Sequence, residues 1–349
     1  MVKTLGVDLW GGQVRGAVEN RATLTGRAPR PIGLEHGREL RALFHQGYGK
    51  FADACRAVDE PGVGIIAVDE LSGRPAGMLT LRARPARYVA ATIGRHDQCD
   101  LFLHGNDDLA LRHLSIIVDP ARSWERNSTA VRYRVLDLRT QHGFRDEHGK
   151  MLRGLRCEGP ALLRCAGFAL FILPLGDTSD WPASGNDAWE MLPERVYFDE
   201  LTNVPEASAP KLRVKDFQNA STHVSMIMRT QGPRETGDSL VMPGAGVGTL
   251  ELIGRHHRGT LTLGADALKD GVLLGRYARC DASQIIDDPS LSRVHALMID
   301  VGDQFLVVDT ASRNGTRIYG GEDSRVISVT GDAEIGLGSR TIARWRFVC

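Results

Sequence analysis

The chain of 349 residues carries 43 basic and 43 acidic side chains, so its formal net charge at pH 7 is zero. This balance gives no overall field that would attract nucleic acid or an anionic membrane, and the length suffices for two or three domains that each bury a core. Six cysteines without a CxxC pair or a zinc-like spacing, no secretory leader and no apolar run of about 18 residues predict a cytoplasmic protein without metal, other cofactor or membrane insertion.

Residues 1–60 are predicted to form a small α/β segment of unknown role, a hairpin plus a helix. Apolar residues recur there at approximately helical spacing, at Leu40, Leu43, Phe44, Phe51 and Val58. Because Gly47 and Gly49 interrupt this stripe, it predicts either one helix or two short helices packed against the domain that follows.

Residues 61–174 contain short β-like runs separated by Gly, Pro, Asp and Arg, at 64–68, 77–81, 88–93, 115–118, 131–136 and 168–173. Short strands with turns at this spacing favour an antiparallel β-sandwich over a βαβ fold. Residues 120–129 are predicted to be a lengthened surface loop.

Residues 175–246 have a different composition, rich in Pro, Ser, Asn, Asp and Gly, which is typical of an extended linker. Four aromatic residues exceed what a plain spacer needs: Trp181, Trp189, Tyr197 and Phe198. Packing of these rings onto a neighbouring sandwich is the favoured interpretation, and a short partner-docking motif is the alternative.

Residues 247–349 repeat the β-like pattern, at 249–253, 260–263, 272–274, 296–299, 305–308, 325–329 and 341–348. Three motifs stand at the edges of these runs: the pair Gly275-Arg276, the tetrapeptide Ser-Arg-Val-His at 292–295, and Ser-Arg-Asn-Gly-Thr at 312–316. Loops at one end of a β-sandwich cluster in space. A guanidinium, a hydroxyl and an amide brought together there suit a phosphate and the backbone of the peptide that carries it.

The order and spacing of these motifs resemble the forkhead-associated (FHA) family of phosphothreonine-reading β-sandwiches, which is marked by a GR, an SRxH and an NG. Ser292 follows Arg276 by sixteen residues, and Asn314 follows Ser292 by twenty-two. The resemblance therefore implies an all-β fold, in which residues 247–349 form an FHA sandwich that binds phosphothreonine.

The resemblance also implies roles for individual residues. It assigns the phosphate to Arg276 and Ser292, with Arg293 as a candidate second cation. It assigns the main chain of the ligand, just past the phosphothreonine, to Asn314. Structural positions at the site would be Gly275, His295 beneath the serine loop, and Gly315. The sequence itself places five arginines in or beside the loops at this end of the sandwich, a clustering that suits a phosphopeptide and adds Arg313 to the binding residues: Arg276, Arg279, Arg293, Arg313 and Arg317.

The same pattern occurs about 180 residues earlier, which predicts a tandem repeat joined by the Pro-rich linker. Leu-Thr-Leu at 79–81 matches 261–263 at an offset of 182, Gly-Arg at 94–95 matches 275–276 at 181, and His113 matches His295 at 182.

The first copy is predicted to be degenerate, because it lacks the groups that would bind phosphate. Ala110 stands at the position of Ser292 and His142 at that of Asn314, so that of the phosphate set only Arg95 remains. Residues 61–174 are therefore predicted to act as a scaffold or another protein surface. The alternative is that Arg95 and His142 still bind some anion.

No GxSxG elbow, HExxH helix, P-loop or kinase signature occurs in the sequence. The sequence predicts a non-enzymatic adaptor in Ser/Thr kinase signalling, without catalytic residues. Its partner would be a phosphothreonine-containing protein, a Ser/Thr kinase or a substrate of one. The alternatives are a phosphate-independent interaction scaffold and an enzyme hidden in the N-terminal segment.

Overall fold

The structure, a computed structural model, describes residues 38–58, 60–121, 131–175, 181–193, 234–236, 239–302 and 304–348. Within these ranges it contains two β-sandwiches and three helices. The predicted all-β class with two antiparallel sandwiches and a small N-terminal helical segment is confirmed. The predicted N-terminal hairpin, most of the lengthened loop at 120–129 and most of the predicted linker lie outside the described residues.

The first sandwich contains eleven strands: β1 Gly62–Asp69, β2 Pro75–Arg82, β3 Val89–Gly94, β4 Leu101–Phe102, β5 Leu114–Val118, β6 Tyr133–Asp137, β7 Phe144–Arg145, β8 Met151–Leu152, β9 Gly154–Cys157, β10 Ala161–Cys165 and β11 Phe168–Leu175. One sheet has the order β2-β1-β11-β10-β7-β8 and the other β4-β3-β5-β6-β9. Strands β1 and β11 pair antiparallel with Ile65 opposite Ile172, and both side chains are buried between the sheets. The alternation of strand side chains thus builds the core.

The second sandwich contains β12 Arg234–Thr236, β13 Ser239–Val241, β14 Gly246–Ile253, β15 Arg258–Gly264, β16 Val272–Leu274, β17 Ala296–Asp300, β18 Phe305–Asp309, β19 Thr316–Ile318, β20 Val326–Val329, β21 Ala333–Leu337 and β22 Thr341–Phe347. Its sheets have the orders β12-β13-β15-β14-β22-β21-β19 and β16-β17-β18-β20. In its core the rings of Phe305 and Trp345 stack with centroids 4.9 Å apart.

Every predicted β-like run overlaps one of these strands, and the strands without a predicted run have two to five residues. Two of them, β12 and β13, fall within the segment predicted as a linker, where β12 forms the edge of the sheet and β13 pairs parallel with β15. A short helix, Ala265–Asp270, connects β15 to β16.

The helix Leu40–Arg56, α1, covers the outer face of the sheet that contains β1 and β11. All five residues of the predicted stripe are buried, and the helix runs unbroken through both glycines. A second helix, Gly185–Met191 or α2, lies beside it, and Trp181 and Trp189 pack into the same cluster. Packing onto the first sandwich therefore accounts for these two aromatic residues, whereas Tyr197 and Phe198 lie outside the described residues.

The two sandwiches pack against each other through the outer faces of their smaller sheets. Apolar side chains from both sheets form one cluster, which includes Ile117 and Leu136 from the first sandwich and Leu297 and Leu306 from the second. This contact produces a four-layered body of sheets and brings loops from both sandwiches to the same region of the surface.

Charged pairs also join the two sandwiches. Arg139 of the first sandwich pairs with Asp281 of the second at 2.6 Å, and Arg325 of the second pairs with Asp100 of the first at 2.8 Å. Asp100 and Asp281 are equivalent positions of the repeat, at an offset of 181. At each of these two equivalent positions, the aspartate of one sandwich therefore pairs with an arginine of the other.

Among the residues that the structure describes, no helix has both the length and the apolar composition needed to cross a bilayer.

Candidate functional site

The loops that follow β16, precede β17 and follow β18 surround an open pocket of about 640 Å³. All five residues predicted to bind the phosphopeptide line it: Arg276, Ser292, Arg293, Arg313 and Asn314. The remaining lining residues of the second sandwich are Pro289, Ser290, Leu291 and Arg340.

Gly275 allows two of these loops to approach closely. A Cβ atom at this position would lie 2.4 Å from the carbonyl oxygen of Arg293, which is shorter than any real contact of that kind. The backbone N–H of Tyr277 donates to the same carbonyl at 3.0 Å. A side chain at residue 275 would therefore separate the arginine loop from the serine loop.

In the part of the chain that the structure describes, the exposed Arg276 side chain is anchored through a single nitrogen. Its Nε donates to the carbonyl of Leu291 at 2.9 Å. Among the described residues no carboxylate forms a salt bridge with it, so its terminal nitrogens are available as donors toward the pocket. An arginine held in this way presents a fork that matches phosphate geometry.

Ser292 is buried with its hydroxyl at the wall of the pocket. The Ser292 Oγ accepts a hydrogen bond from the backbone N–H of Arg313 at 3.0 Å. The hydroxyl proton can therefore donate to an acceptor in the pocket, because a hydroxyl combines one donor with two acceptor sites.

His295 is fully buried and connects two of the loops. Its Nδ1 accepts from the backbone N–H of Ser292 at 3.1 Å, and its Nε2 lies 3.0 Å from the carbonyl oxygen of Gly315. A carbonyl can only accept, so the Nε2 carries the proton and the ring is neutral. Burial lowers the pKa of His295, which agrees with this neutral state.

His295→Ala should reduce stability more than it removes direct ligand contacts. The variant leaves the Ser292 N–H and the Gly315 carbonyl without their partner, at a cost of about 1–3 kcal/mol. Thermal unfolding of the full chain measures this loss, and His256→Ala, which removes an exposed histidine, is the control. An unchanged midpoint together with lost peptide binding would instead make His295 a ligand residue.

The same variant should alter the response of stability to acid. Because the pKa of His295 is lowered in the folded state, the unfolded chain binds more protons below about pH 6.5, the ordinary histidine pKa. The stability contributed by the neutral ring is therefore complete above that pH and is lost as the pH falls. The His295→Ala variant should lack this part of the acid sensitivity.

Asn314 is exposed at the rim of the pocket. Its Nδ2 donates to the carbonyl of Ser290 at 2.7 Å, which leaves the side-chain oxygen available to the main chain of a ligand. The following Gly315 has a φ of +72°, and a Cβ there would lie 2.4 Å from the carboxylate of Asp323. Glycine therefore suits residue 315 for both backbone conformation and space.

The first sandwich has the same histidine brace without the binding groups. His113 Nδ1 accepts from the backbone N–H of Ala110 at 3.0 Å, and its Nε2 donates to the carbonyl of Gly143 at 2.9 Å. The equivalent of the serine supplies no hydroxyl, however. Arg95 and His142 are both exposed, and Arg95 lies 3.9 Å from Asp107.

Two arginines that sequence reasoning placed beside the pocket point elsewhere. Arg279 faces the first sandwich, where it donates to the carbonyls of Arg112 and Arg139, and Arg317 pairs with Asp323 at 3.2 Å.

Seven lining residues were not predicted from the sequence: His96, Leu111, Arg112, Pro289, Ser290, Leu291 and Arg340. The first three belong to the first sandwich. One signal was available for Arg112, because its equivalent at an offset of 182 is Val294, a buried apolar residue. An arginine at a position that buries an apolar residue in the other copy indicates a different role.

No group of three or more His, Cys, Asp or Glu side chains suited to a metal ion is found within the described ranges. The cysteines of the repeat, Cys99 and Cys280, are both buried. Burial raises the pKa of each thiol to about 11, so neither is a reactive thiolate at neutral pH.

Residues 272–338 match the family model of the FHA domain. The matched segment contains all the motifs of the second sandwich, and the recognition of that sandwich as an FHA domain is confirmed. No curated protein matches the chain by sequence.

Three solved structures that resemble parts of the chain are FHA domains. The Rv1747 FHA-1 domain of Mycobacterium tuberculosis is 18% identical with a TM-score of 0.24, and the likeness covers 30% of this chain and 99% of that one. The FHA domain of CT664 from Chlamydia trachomatis is 12% identical with a TM-score of 0.25, covering 32% and 96%. The yeast Dun1 FHA domain, solved with a doubly phosphorylated peptide, is 20% identical with a TM-score of 0.24, covering 34% and 84%. At such low scores these likenesses add nothing to the family match.

Proposed function

We propose that this chain is a phosphothreonine-dependent protein-binding adaptor in which the second sandwich reads the phosphate. FHA domains are binding modules rather than enzymes, and the match to their family model supports this class of function. The observation that carries the proposal is the convergence of Arg276, Ser292, Arg293, Arg313 and Asn314 on one open pocket.

The charge of the pocket supports an anionic ligand. Among the described residues none of the exposed arginines that line it, Arg276, Arg293, Arg313 and Arg340, takes part in a salt bridge with a carboxylate. A phosphate carries about −1.5 to −2 charge at pH 7 and three acceptor oxygens. One phosphothreonine would therefore supply both the counter-charge and the acceptors that these donors lack.

The partner we propose is a protein phosphorylated on threonine by a Ser/Thr kinase, or the kinase itself. The first sandwich is proposed to be a degenerate copy that does not read phosphothreonine, because Ala110 and His142 replace the serine and the asparagine. The structural frame persists there, as the hydrogen bonds of His113 show.

A competition experiment on the full chain tests this function. One peptide sequence, selected by the chain from a phosphothreonine library with random flanks, is made with phosphothreonine, phosphoserine, aspartate or plain threonine. We expect the affinities to fall in that order. Burial of the threonine methyl group, which the family resemblance implies, contributes about 0.8 kcal/mol and so a few-fold preference over phosphoserine.

Aspartate should not replace the phosphate, because a carboxylate brings one charge and two oxygens to the arginines and Ser292. Equal binding of all four peptides would refute phosphate reading and support the phosphate-independent scaffold.

A further inference from the structure

One wall of the phosphate pocket comes from the first sandwich, through His96, Leu111 and Arg112. Arg112 reaches across the interface between the sandwiches. Its Nε donates to the carbonyl of Thr310 at 2.7 Å, and its Nη2 donates to the carbonyl of Ala311 at 2.5 Å. The same Nη2 lies 3.5 Å from the Oγ of Ser292.

These contacts hold two ligand-binding loops of the second sandwich at once. Ala311 has a φ of +60°, a left-handed conformation that is unfavourable for a residue with a side chain. Arg112 donates to the carbonyl of this residue, two positions before Arg313, whose N–H bonds Ser292. The guanidinium of Arg112 therefore contacts the serine hydroxyl and the strained turn beside it.

No carboxylate within the described residues forms a salt bridge with Arg112, although the charges of Asp309 and Asp97 act on its guanidinium. The side chain is buried, with the residue 4% exposed, and burial lowers the pKa of its guanidinium. Burying an unpaired charge is costly, and hydrogen bonds to carbonyl groups compensate only part of that cost. A dianion in the adjoining pocket would add to the counter-charge of Arg112, which no salt bridge within the described residues supplies.

Three other arginines at the interface do form salt bridges with carboxylates. Arg134, Arg139 and Arg325 each pair with a carboxylate, Asp119, Asp281 and Asp100 respectively, at 2.6, 2.6 and 2.8 Å. Arg279 has no such pair among the residues that the structure covers, but it lies over the ring of Tyr277 and does not line the pocket.

We propose that Arg112 of the first sandwich is a positioning residue of the phosphate site in the second sandwich. It orients Ser292 and the turn at Ala311, and its buried charge is compensated by the phosphate when the ligand binds. The inference rests on the proposed function. It makes the pair of sandwiches the ligand-binding unit and gives the degenerate copy a role in binding.

The test compares variants of the full chain for binding of the phosphothreonine peptide selected by the wild type and of its unphosphorylated form. Arg112→Met removes the charge at similar volume and should weaken phosphopeptide binding about tenfold without affecting the plain peptide. The matched control is Arg134→Met, because Arg134 is equally buried and donates across the interface to the carbonyl of Val301 at 2.9 Å, away from the pocket. It should bind like the wild type.

A double variant tests whether Arg112 acts through Ser292. In a Ser292→Ala background, Arg112→Met should cost clearly less affinity than in the wild type, because residues that share one contact are not additive. Equal costs in both backgrounds would overturn positioning through the serine.

If Arg112→Met unfolds below the assay temperature, Arg112→Lys decides. It keeps the charge but loses the planar fork that reaches both Ala311 and Ser292, so its affinity should be intermediate. Wild-type affinity in this variant would overturn the positioning role.

The outcomes separate this inference from the proposed function. If Arg276→Ala abolishes phosphopeptide binding while Arg112→Met leaves it unchanged, or if Arg134→Met weakens it as much as Arg112→Met, the inference falls and the proposed function stands. If the wild type does not distinguish phosphorylated from plain peptide, the proposed function falls and takes the inference with it.

Discussion

Arg276→Ala should lower the affinity of the full chain for a phosphothreonine peptide at least about tenfold while the protein stays folded. A hydrogen bond to a charged group contributes about 1.5–3 kcal/mol, and 1.4 kcal/mol corresponds to one decade in affinity. The side chain is exposed and anchored only through its Nε, so its removal leaves little buried surface or buried polarity unsatisfied. Isothermal titration with phosphorylated and plain peptides measures the change.

The matched control is Arg95→Ala, which removes the equivalent arginine of the first sandwich. Arg95 is also exposed, lies 3.9 Å from Asp107 and does not line the pocket. Its loss should leave the affinity nearly unchanged. If Arg95→Ala were the damaging substitution, the assignment of the reading and the degenerate copies would be reversed.

Asp281→Ala should destabilise the folded chain by about 3 kcal/mol. Asp281 accepts hydrogen bonds from Arg139 of the first sandwich at 2.6 Å and from the backbone N–H of Leu273 at 2.9 Å. Removing one member of a buried ion pair typically costs about 3–5 kcal/mol, because the remaining charge stays buried. The lower end applies here, since the Arg139 side chain is 25% exposed.

Denaturant unfolding of the full chain measures this effect, with Glu190→Ala as the control. Glu190 also pairs with an arginine, Arg41, at 2.7 Å, but both side chains are exposed, so its loss should change stability by less than about 1 kcal/mol. Equal effects of the two substitutions would show that the pair between the sandwiches contributes no more than a surface pair.

The two equivalent acidic positions, Asp100 and Asp281, make matching contacts at the interface. Asp100 in the first sandwich accepts from the backbone N–H of Thr92 at 2.8 Å and pairs with Arg325, as Asp281 does with Leu273 and Arg139. The geometry of the two positions thus follows the sequence repeat. The arginines that pair with the two carboxylates, however, do not occupy equivalent positions of the repeat.

The sequence determined the class of the fold and the composition of the pocket rim. Strand alternation and turn residues act over a few positions, so they identified the major strands of both sandwiches and the stripe of the helix Leu40–Arg56. Motif order placed Arg276, Ser292 and Asn314 around one pocket, because loops at one end of a sandwich cluster whatever the details of packing. Strands of two or three residues, such as β4 and β7, carry too few positions for alternation to be visible.

The surroundings of that rim depend on contacts between segments far apart in the sequence. The segment predicted as a linker supplies the helix Gly185–Met191 beside α1 and the strands β12 and β13, because burial against an existing surface can order short segments whose own composition favours a loop. Arg279 belongs to the interface rather than the pocket, and Arg112 to the pocket wall although it lies 180 residues before Ser292. Local periodicity cannot encode such contacts. They depend on the docking of one sandwich against the other, which is fixed by the complementarity of two complete apolar faces and the charged pairs around them.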